Sequence, residues 1–228
     1  MRNWKYKKEN GKEVWKELEK VMVYNSRDAI FGDWLDLILN SLLSLTDNMS
    51  RLNLVKKFQE NKLDGEYANR YMEIVKKHPP EKIKHFANAF AILQKETRET
   101  QKDILGDIYM EMITFGQHGQ FFTPEHITDL MAKMITTTDK TFCDPCCGSG
   151  RFLISASKEN PDAKLQGNDI DERCAKMTAI NMWMFDLNSE ITWGNSLIFE
   201  NWKGWRTKKG GWIYEFTPEK SYSHLRFD

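Results

Sequence analysis

Apolar positions recur at helical spacing through the first half of the chain and fall into short strand-like runs through the second. Between Phe31 and Leu45, the residues Trp34, Leu35, Ile38, Leu39, Leu42 and Leu43 share one helix face, and Asp33 is placed to cap that helix. Glu66 to Lys77 repeats the pattern and is stopped by Pro79-Pro80. Lys82 to about Phe115 forms a third, longer stretch. It is expected to break near Thr100 or at Gly106, because a glycine inside a helix costs roughly 1 kcal/mol. Gly116 to Gln120 reads as a loop. Thr123 then serves as N-cap and Pro124 as the first position of a helix running to about Ile135.

From Thr141 onward the pattern alternates. Strands are expected at 141–145, 164–169 and 190–194, and helices at about 151–158 and 171–185. A β-α-β-α-β order implies right-handed crossovers and a parallel sheet, with any ligand at the carboxyl ends of the strands. The fold class is therefore α/β: a helical N-terminal region over 1–115, then a sheet-containing domain over 116–228.

Composition narrows this picture only slightly. The 228 residues suffice for one domain, or for a small helical domain plus a compact α/β one. Lys+Arg and Asp+Glu both number 33, so the net charge is zero. A protein gripping duplex DNA over many phosphates usually has a basic excess, so here only a local patch or a partner would supply it. One such patch is the start of the chain, where Trp4, Tyr6 and Trp15 lie among seven Lys/Arg through Lys20, although a solvated helix or arm is the favoured reading of it. No apolar run approaches the ~18 residues that cross a bilayer, and Met1 to Lys5 opens no signal-peptide core. The expectation is a cytoplasmic protein with no membrane partner. Cys143, Cys146, Cys147 and Cys174 read as reduced thiols, the first three buried around a strand and its loop. Cys143-x-x-Cys146 lacks a second Cys/His pair, so no metal site is expected.

The chemistry concentrates in four segments. Thr141-Phe-Cys-Asp-Pro-Cys-Cys-Gly-Ser-Gly-Arg-Phe-Leu153 has the order of a strand, a glycine turn and a helix start. Gly148 and Gly150 carry no Cβ, so a ligand can come close to the backbone there, and a helix N-terminus favours negative charge. Gly119-Gln-Phe-Phe-Thr-Pro124 precedes that segment; Gly167-Asn-Asp-Ile-Asp171 and Gly194-Asn-Ser-Leu197 follow it. A carboxylate at a strand end can accept both hydroxyls of a ribose. Asp169 lies 25 residues after Asp144, a strand–helix–strand distance. Asp171 competes for that role, or caps the next helix. Asn195 offers a donor and an acceptor to a purine edge, and Asp144 suits an ammonium.

In this order the four segments resemble the S-adenosylmethionine-binding half of adenine-specific DNA methyltransferases. The likeness is close to the modification subunits of type I restriction systems and their small phage- and plasmid-borne relatives. It covers roughly Asp103 to Leu197 and implies a Rossmann-like methyltransferase sheet. It further implies that Phe121, Thr123 and Pro124, together with Asp144, Gly148 and Gly150, contact the methionine part of S-adenosylmethionine. Asp169 would hold the ribose and Asn195 the adenine. DNA is the implied partner, with a second protein subunit or a second copy as a further one.

One departure qualifies the resemblance. Adenine-methylating members carry an (Asp/Asn)-Pro-Pro-(Tyr/Phe) tetrapeptide after the fourth strand, whose aromatic stacks on a flipped-out base. These 228 residues contain none: His78-Pro-Pro-Glu81 lies before the cofactor segments and lacks the aromatic. The expected sheet is therefore truncated, and the chain alone is expected to bind cofactor but to methylate weakly or not at all. Alternatives are a non-catalytic binding or accessory module, or a fragment ending before the motif, since Leu225-Arg-Phe-Asp228 looks like its lead-in strand. In the tail, Trp205 and Trp212 are interleaved with Arg206, Lys208 and Lys209, and Gly210-Gly211 reads as a turn. Trp212 to Phe216 reads as a strand closing the sheet edge. The aromatics either cover a truncated sheet or stack on single-stranded nucleic acid.

Overall fold

The computed structural model describes residues 9–22, 26–50, 65–114, 121–135 and 141–218. The chain divides into two compact units, Met1–Phe121 and Phe122–Asp228.

The first unit is helical. Helix α1 (Lys12–Val21) buries Val14, Trp15, Leu18 and Val21 along one stripe and packs against α4 (Pro80–Thr100), which offers Phe86, Ala89 and Leu93. Helix α2 (Arg27–Ser50) packs on α3 (Glu66–Val75). It starts earlier than its apolar face suggests, with Ser26 Oγ accepting from the Ala29 N–H at 3.2 Å. Asp33 is therefore no cap. It lies one and a half turns inside the helix and accepts from Lys77 Nζ at 3.1 Å, with His78 Nε2 at 2.9 Å. Residues Arg27–Asp47 are long and apolar enough to cross a membrane, contrary to the sequence expectation, but 67% of that stretch is buried, as in a core helix. Indeed Trp34 sits in the core with its indole N–H on the Phe86 carbonyl at 3.1 Å.

The long third stretch breaks after Thr100. Gln101 takes a left-handed conformation (φ 54°), and Asp103 Oδ1 caps the short helix α5 (Ile104–Ile108) by accepting from the Gly106 N–H at 2.8 Å. Of the two expected break points, Gly106 is the one that stays helical. A π-helical turn, Tyr109–Thr114, follows.

In the second unit, α6 (Glu125–Met134) begins with Pro124 in the capping position and no side-chain cap, so the expected Thr123 cap is not made. Then come β1 (Thr141–Asp144), α7 (Arg151–Glu159), β2 (Lys164–Asp169), α8 (Glu172–Met184) and β3 (Ser189–Asn195). The strands β1, β2 and β3 are parallel neighbours in that order. Beyond the expected elements, β4 (Glu200–Lys208) returns antiparallel on β3 and β5 (Trp212–Phe216) pairs antiparallel with β4. The result is a five-stranded mixed sheet, ordered β1-β2-β3-β4-β5, with β5 at its edge.

The sheet has one apolar face. Phe142, Leu165, Ile191, Trp205 and Ile213 alternate onto it and are buried beneath α7 and α8. Strands laid down in one direction, joined by crossovers of one hand, place their helices on a single face. The other face carries Lys164, Gln166, Asn168, Glu190, Thr192 and Arg206. Gln166, Asn168 and Glu190 on that face are nonetheless buried, so its polar character and not its exposure sets it apart along β2 and β3.

Candidate functional site

The site is built from the chain reversal after β1. The strand ends at Asp144, and Pro145 and Cys146 turn the chain so that the Cys147 N–H reaches the Asn168 carbonyl of β2 at 2.9 Å. Gly148 (φ 57°) and Gly150 (φ 84°) then take left-handed conformations that admit glycine at no steric cost. A Cβ on Gly148 would lie 2.9 Å from the Phe122 ring, and one on Gly150 would lie 2.9 Å from Thr178 Cγ2 of α8. Both glycines thus allow close packing within the protein.

The rest of the loop is tied down from below. Thr178 Oγ1 donates to the Gly148 carbonyl and Asn181 Nδ2 to the Ser149 carbonyl, each at 2.8 Å. With Ser149 buried, these bonds satisfy polar groups that would otherwise be costly. Both bonds anchor the loop to α8.

Two carboxylates converge here. Asp169, at the end of β2, accepts from the Gly148 N–H through Oδ2 at 2.8 Å and from the Asp171 N–H through Oδ1 at 2.9 Å. Asp144 Oδ1 accepts from the Cys146 N–H at 3.1 Å. Burial pushes both carboxyls above the usual range. The backbone N–H groups oppose that effect, and for Asp169 the negative charges of Asp171 and Asp144 add to it. Among the described residues neither has a cationic partner. Each oxygen of Asp169 retains lone-pair capacity beyond its one backbone donor.

Asp171 caps α8, accepting from the Arg173 N–H at 2.9 Å and pairing with the Arg173 guanidinium at 3.1 Å. Of the two acids in Asn-Asp-Ile-Asp, Asp169 is therefore the one set against the loop. Asn195 closes β3, its Oδ1 accepting from the Leu197 N–H at 3.0 Å.

The strand register arranges these residues in a staircase. Asp144 is level with Gly167, and Asp169 with Trp193, so each strand outlasts its neighbour by two residues. Asp144, Asp169 and Asn195 thus rise in steps of about 6–7 Å along the strands and point to the same side of the sheet. Four apolar side chains stand exposed on the turns that follow β2 and β3: Ile170 (61%), Leu197 (88%), Ile198 (61%) and Phe199 (61%). Sequence reasoning passed over Ile170. Its signal was an apolar residue between two acids, where a turn has no core to fill. An extended ligand with a cationic end, a polar middle and a flat apolar end matches this staircase.

Other expected positions fall differently. Phe121 is 76% exposed at the end of the first unit, whereas it is Phe122 that lies on Gly148. Thr123 and Pro124 are exposed, and the Thr123 carbonyl accepts from Arg151 Nη1 at 3.3 Å. Only Cys147 of the three loop cysteines is buried; Cys146 is exposed and Cys143 intermediate. Burial raises the Cys146 thiol, as do the neighbouring charges of Asp144 and Asp169.

In the tail, Trp205 is fully buried under α8 and belongs to the core, so it is unavailable for stacking on a base. Arg206 Nε donates to Glu190 Oε2 at 2.8 Å, and Lys209 Nζ donates to the Pro161 carbonyl at 3.0 Å. Lys208 is exposed and Trp212 half-buried. Trp4, Tyr6 and the segment 225–228 lie outside the described residues.

Comparison with known proteins adds a family. Residues 100–212 match the model of the N-6 DNA methylase family. The type II restriction enzyme and methyltransferase RM.BcgI of Heyndrickxia coagulans is 34% identical over 141 residues, which are 52% of this chain and 22% of that protein. The type II methyltransferase M.VspI of a Vibrio species is 38% identical over 84 residues, 33% of this chain and 20% of that one. The type I restriction enzyme MjaVII methylase subunit of Methanocaldococcus jannaschii is 27% identical over 216 residues, 88% of this chain and 34% of the relative. The matches thus span about a fifth to a third of these relatives' length. Among solved structures, a type I restriction-modification methyltransferase subunit from Streptococcus thermophilus aligns over 78% of this chain and 57% of its own, with 13% identity and a TM-score of 0.37.

Proposed function

We propose, from the premise that this chain belongs to the N-6 DNA methylase family, that it is the cofactor-holding part of an adenine-N6 DNA methyltransferase and binds S-adenosylmethionine at the carboxyl ends of β1, β2 and β3. The observation that carries this reading is a pair of carboxylates without a cation, half-buried Asp144 and buried Asp169. An opposite charge close to such groups favours their ionised form, so a cationic ligand relieves the cost of burying them.

The residues present fit that cofactor. Asp144 takes the ammonium of the methionine part. Asp169 offers the ribose hydroxyls the lone pairs that its two backbone donors leave. Asn195 meets the adenine edge, and Ile170 and Leu197 flank the ring with apolar surface. Phe121, Thr123 and Pro124 are assigned to the methionine end by resemblance alone. When bound, the cofactor supplies an electrophilic methyl group on a sulfonium. The protein's own contribution is placement, since good orientation of two reactants is worth about 7–11 kcal/mol of barrier. The groups that hold an acceptor adenine are not among those named. DNA and a second protein subunit are accordingly the partners proposed for a complete reaction.

The test is calorimetry and thermal shift of the full chain with S-adenosylmethionine and S-adenosylhomocysteine. Both are expected to bind, and Asp169→Ala to weaken binding by about tenfold or more, the worth of a charge-assisted hydrogen bond. Absence of heat and of any melting shift at millimolar ligand overturns the reading.

A further inference from the structure

The described helices that pack on the sheet within this unit, α7 and α8, lie on its apolar face, and the outer face of the β4–β5 hairpin carries side chains of another kind. Arg206 and Lys208 of β4 stand on that face opposite Tyr214 and Trp212 of β5. The planes of Trp212 and Tyr214 lie within 4° of each other with centroids 6.3 Å apart, and Tyr214 is 39% exposed. The Arg206 guanidinium sits 4.3 Å from the centre of Phe216, and Lys208 Nζ sits 6.0 Å from that of Tyr214. No aliphatic side chain from β4 or β5 joins them on this face.

The charge on the face has one sign in excess. Glu190 is its single carboxylate among the described residues of β2 to β5, and it is shared between Arg206 at 2.8 Å and Lys164 at 3.7 Å. Lys208 has no carboxylate partner among the described residues. Three cations against one carboxylate favour a polyanion, and two parallel rings favour flat partners. A duplex conceals the faces of its bases and offers rings nothing to stack on, whereas an unpaired strand offers both phosphates and base faces.

We propose that the outer face of the β4–β5 hairpin is a binding platform for an unpaired nucleic-acid strand, with Trp212 and Tyr214 stacking on bases and Lys208 and Arg206 meeting phosphates. The choice of DNA over RNA rests on the function proposed above; the platform itself does not. The hairpin is also held as a rigid element. Asp186 Oδ1 accepts from the Gly210 and Gly211 N–H groups at 2.7 and 3.2 Å, and Trp183 Nε1 donates to the Gly211 carbonyl at 2.8 Å.

The test is fluorescence anisotropy of a labelled mixed-sequence DNA oligonucleotide, single-stranded and as its duplex, titrated with the full chain at several salt concentrations. The single strand is expected to bind more tightly than the duplex. Trp212→Ala with Tyr214→Ala is expected to weaken it about tenfold or more, while Tyr214→Phe retains affinity. Lys208→Gln is expected to lower the salt dependence by about one ion, and it removes no packing if the ring variants fail to fold. The thermal shift with S-adenosylhomocysteine is read on the same samples. Strand binding without a cofactor shift leaves the platform standing and removes the cofactor reading. Three results overturn the platform: no strand binding where the cofactor shift is present, preference for the duplex, or affinity indifferent to the loss of both rings and of Lys208, as a face serving a protein would give.

Discussion

At the carboxyl ends of β1 and β2, a half-buried and a buried carboxylate, Asp144 and Asp169, sit without a cation, whereas on the outer face of β2 to β5 two cations share one carboxylate and a third, Lys208, has none. The two regions belong to one sheet and have opposite geometry as well as opposite charge. The first is a rigid recess in which backbone N–H groups are aimed at Asp144 and Asp169. The second is, on β4 and β5, an exposed surface of rings and long side chains. A recess bears charge by hydrogen bonding it; a surface bears it by leaving it to solvent. Substitutions in the recess should therefore change folding and ligand binding together, and substitutions on the surface should change binding alone.

The largest effect is expected from Gly150→Val. A left-handed backbone under a β-branched residue, with Cβ 2.9 Å from Thr178, should cost about 2–5 kcal/mol and appear as a lower urea midpoint. A midpoint unchanged within error breaks the view of the recess as a rigid scaffold. Next comes Asp169→Ala, which leaves the Gly148 and Asp171 N–H groups without their acceptor. It is expected to lose about 1–3 kcal/mol of stability together with the cofactor, and calorimetry beside denaturant unfolding reads both.

Asp144→Asn sharpens the comparison, because it separates charge from shape. A carboxyl whose folded pKa is raised contributes stability fully present below its unfolded pKa and lost as pH rises through the folded one. At neutral pH the ionised Asp144 therefore opposes folding. The amide keeps the bond from the Cys146 N–H and removes the charge, so melting at pH 7 should rise while cofactor affinity falls. A fall in both would assign Asp144 a stabilising role that its burial does not suggest. By the same sign, cofactor affinity in the unmodified chain should weaken as pH drops through the raised pKa values of Asp144 and Asp169; titration calorimetry across the acid range measures it. The smallest effect is expected from Lys208→Gln, with stability unchanged within about 0.5 kcal/mol.

The parallel half of the sheet was legible in the sequence and the antiparallel half only partly so. Strands β1, β2 and β3 alternate with helices, and Asp171 followed by Glu172 announces a cap; the structure places these elements within a residue or two of expectation. The Gly210-Gly211 turn and the strand Trp212–Phe216 were also visible. Strand β4 was not. Its run Trp202-Lys-Gly-Trp-Arg-Thr-Lys208 has a polar or charged residue at nearly every second position and a glycine in the middle, so it reads as a basic aromatic tail. Only the pairing with β3 decides that Trp205 faces the core and Arg206 the outside. Asp33 and Thr123 failed as caps for a related reason. The helix near Asp33 extends beyond its apolar stripe, and Pro124 fixes the backbone where a Thr123 side chain would have acted.

A Cβ on Gly204 would lie 2.4 Å from the ring of Phe216, which occupies the space directly across from it on β5. That vacancy acts as a key between the two strands. Slipping the hairpin by two residues would keep every side chain on its proper face but set the Phe216 ring over Arg206 or Trp202, where no gap receives it. A mispaired β4–β5 hairpin is therefore penalised by its own sequence, so the fit of one ring into one gap favours a single alignment from within the hairpin itself.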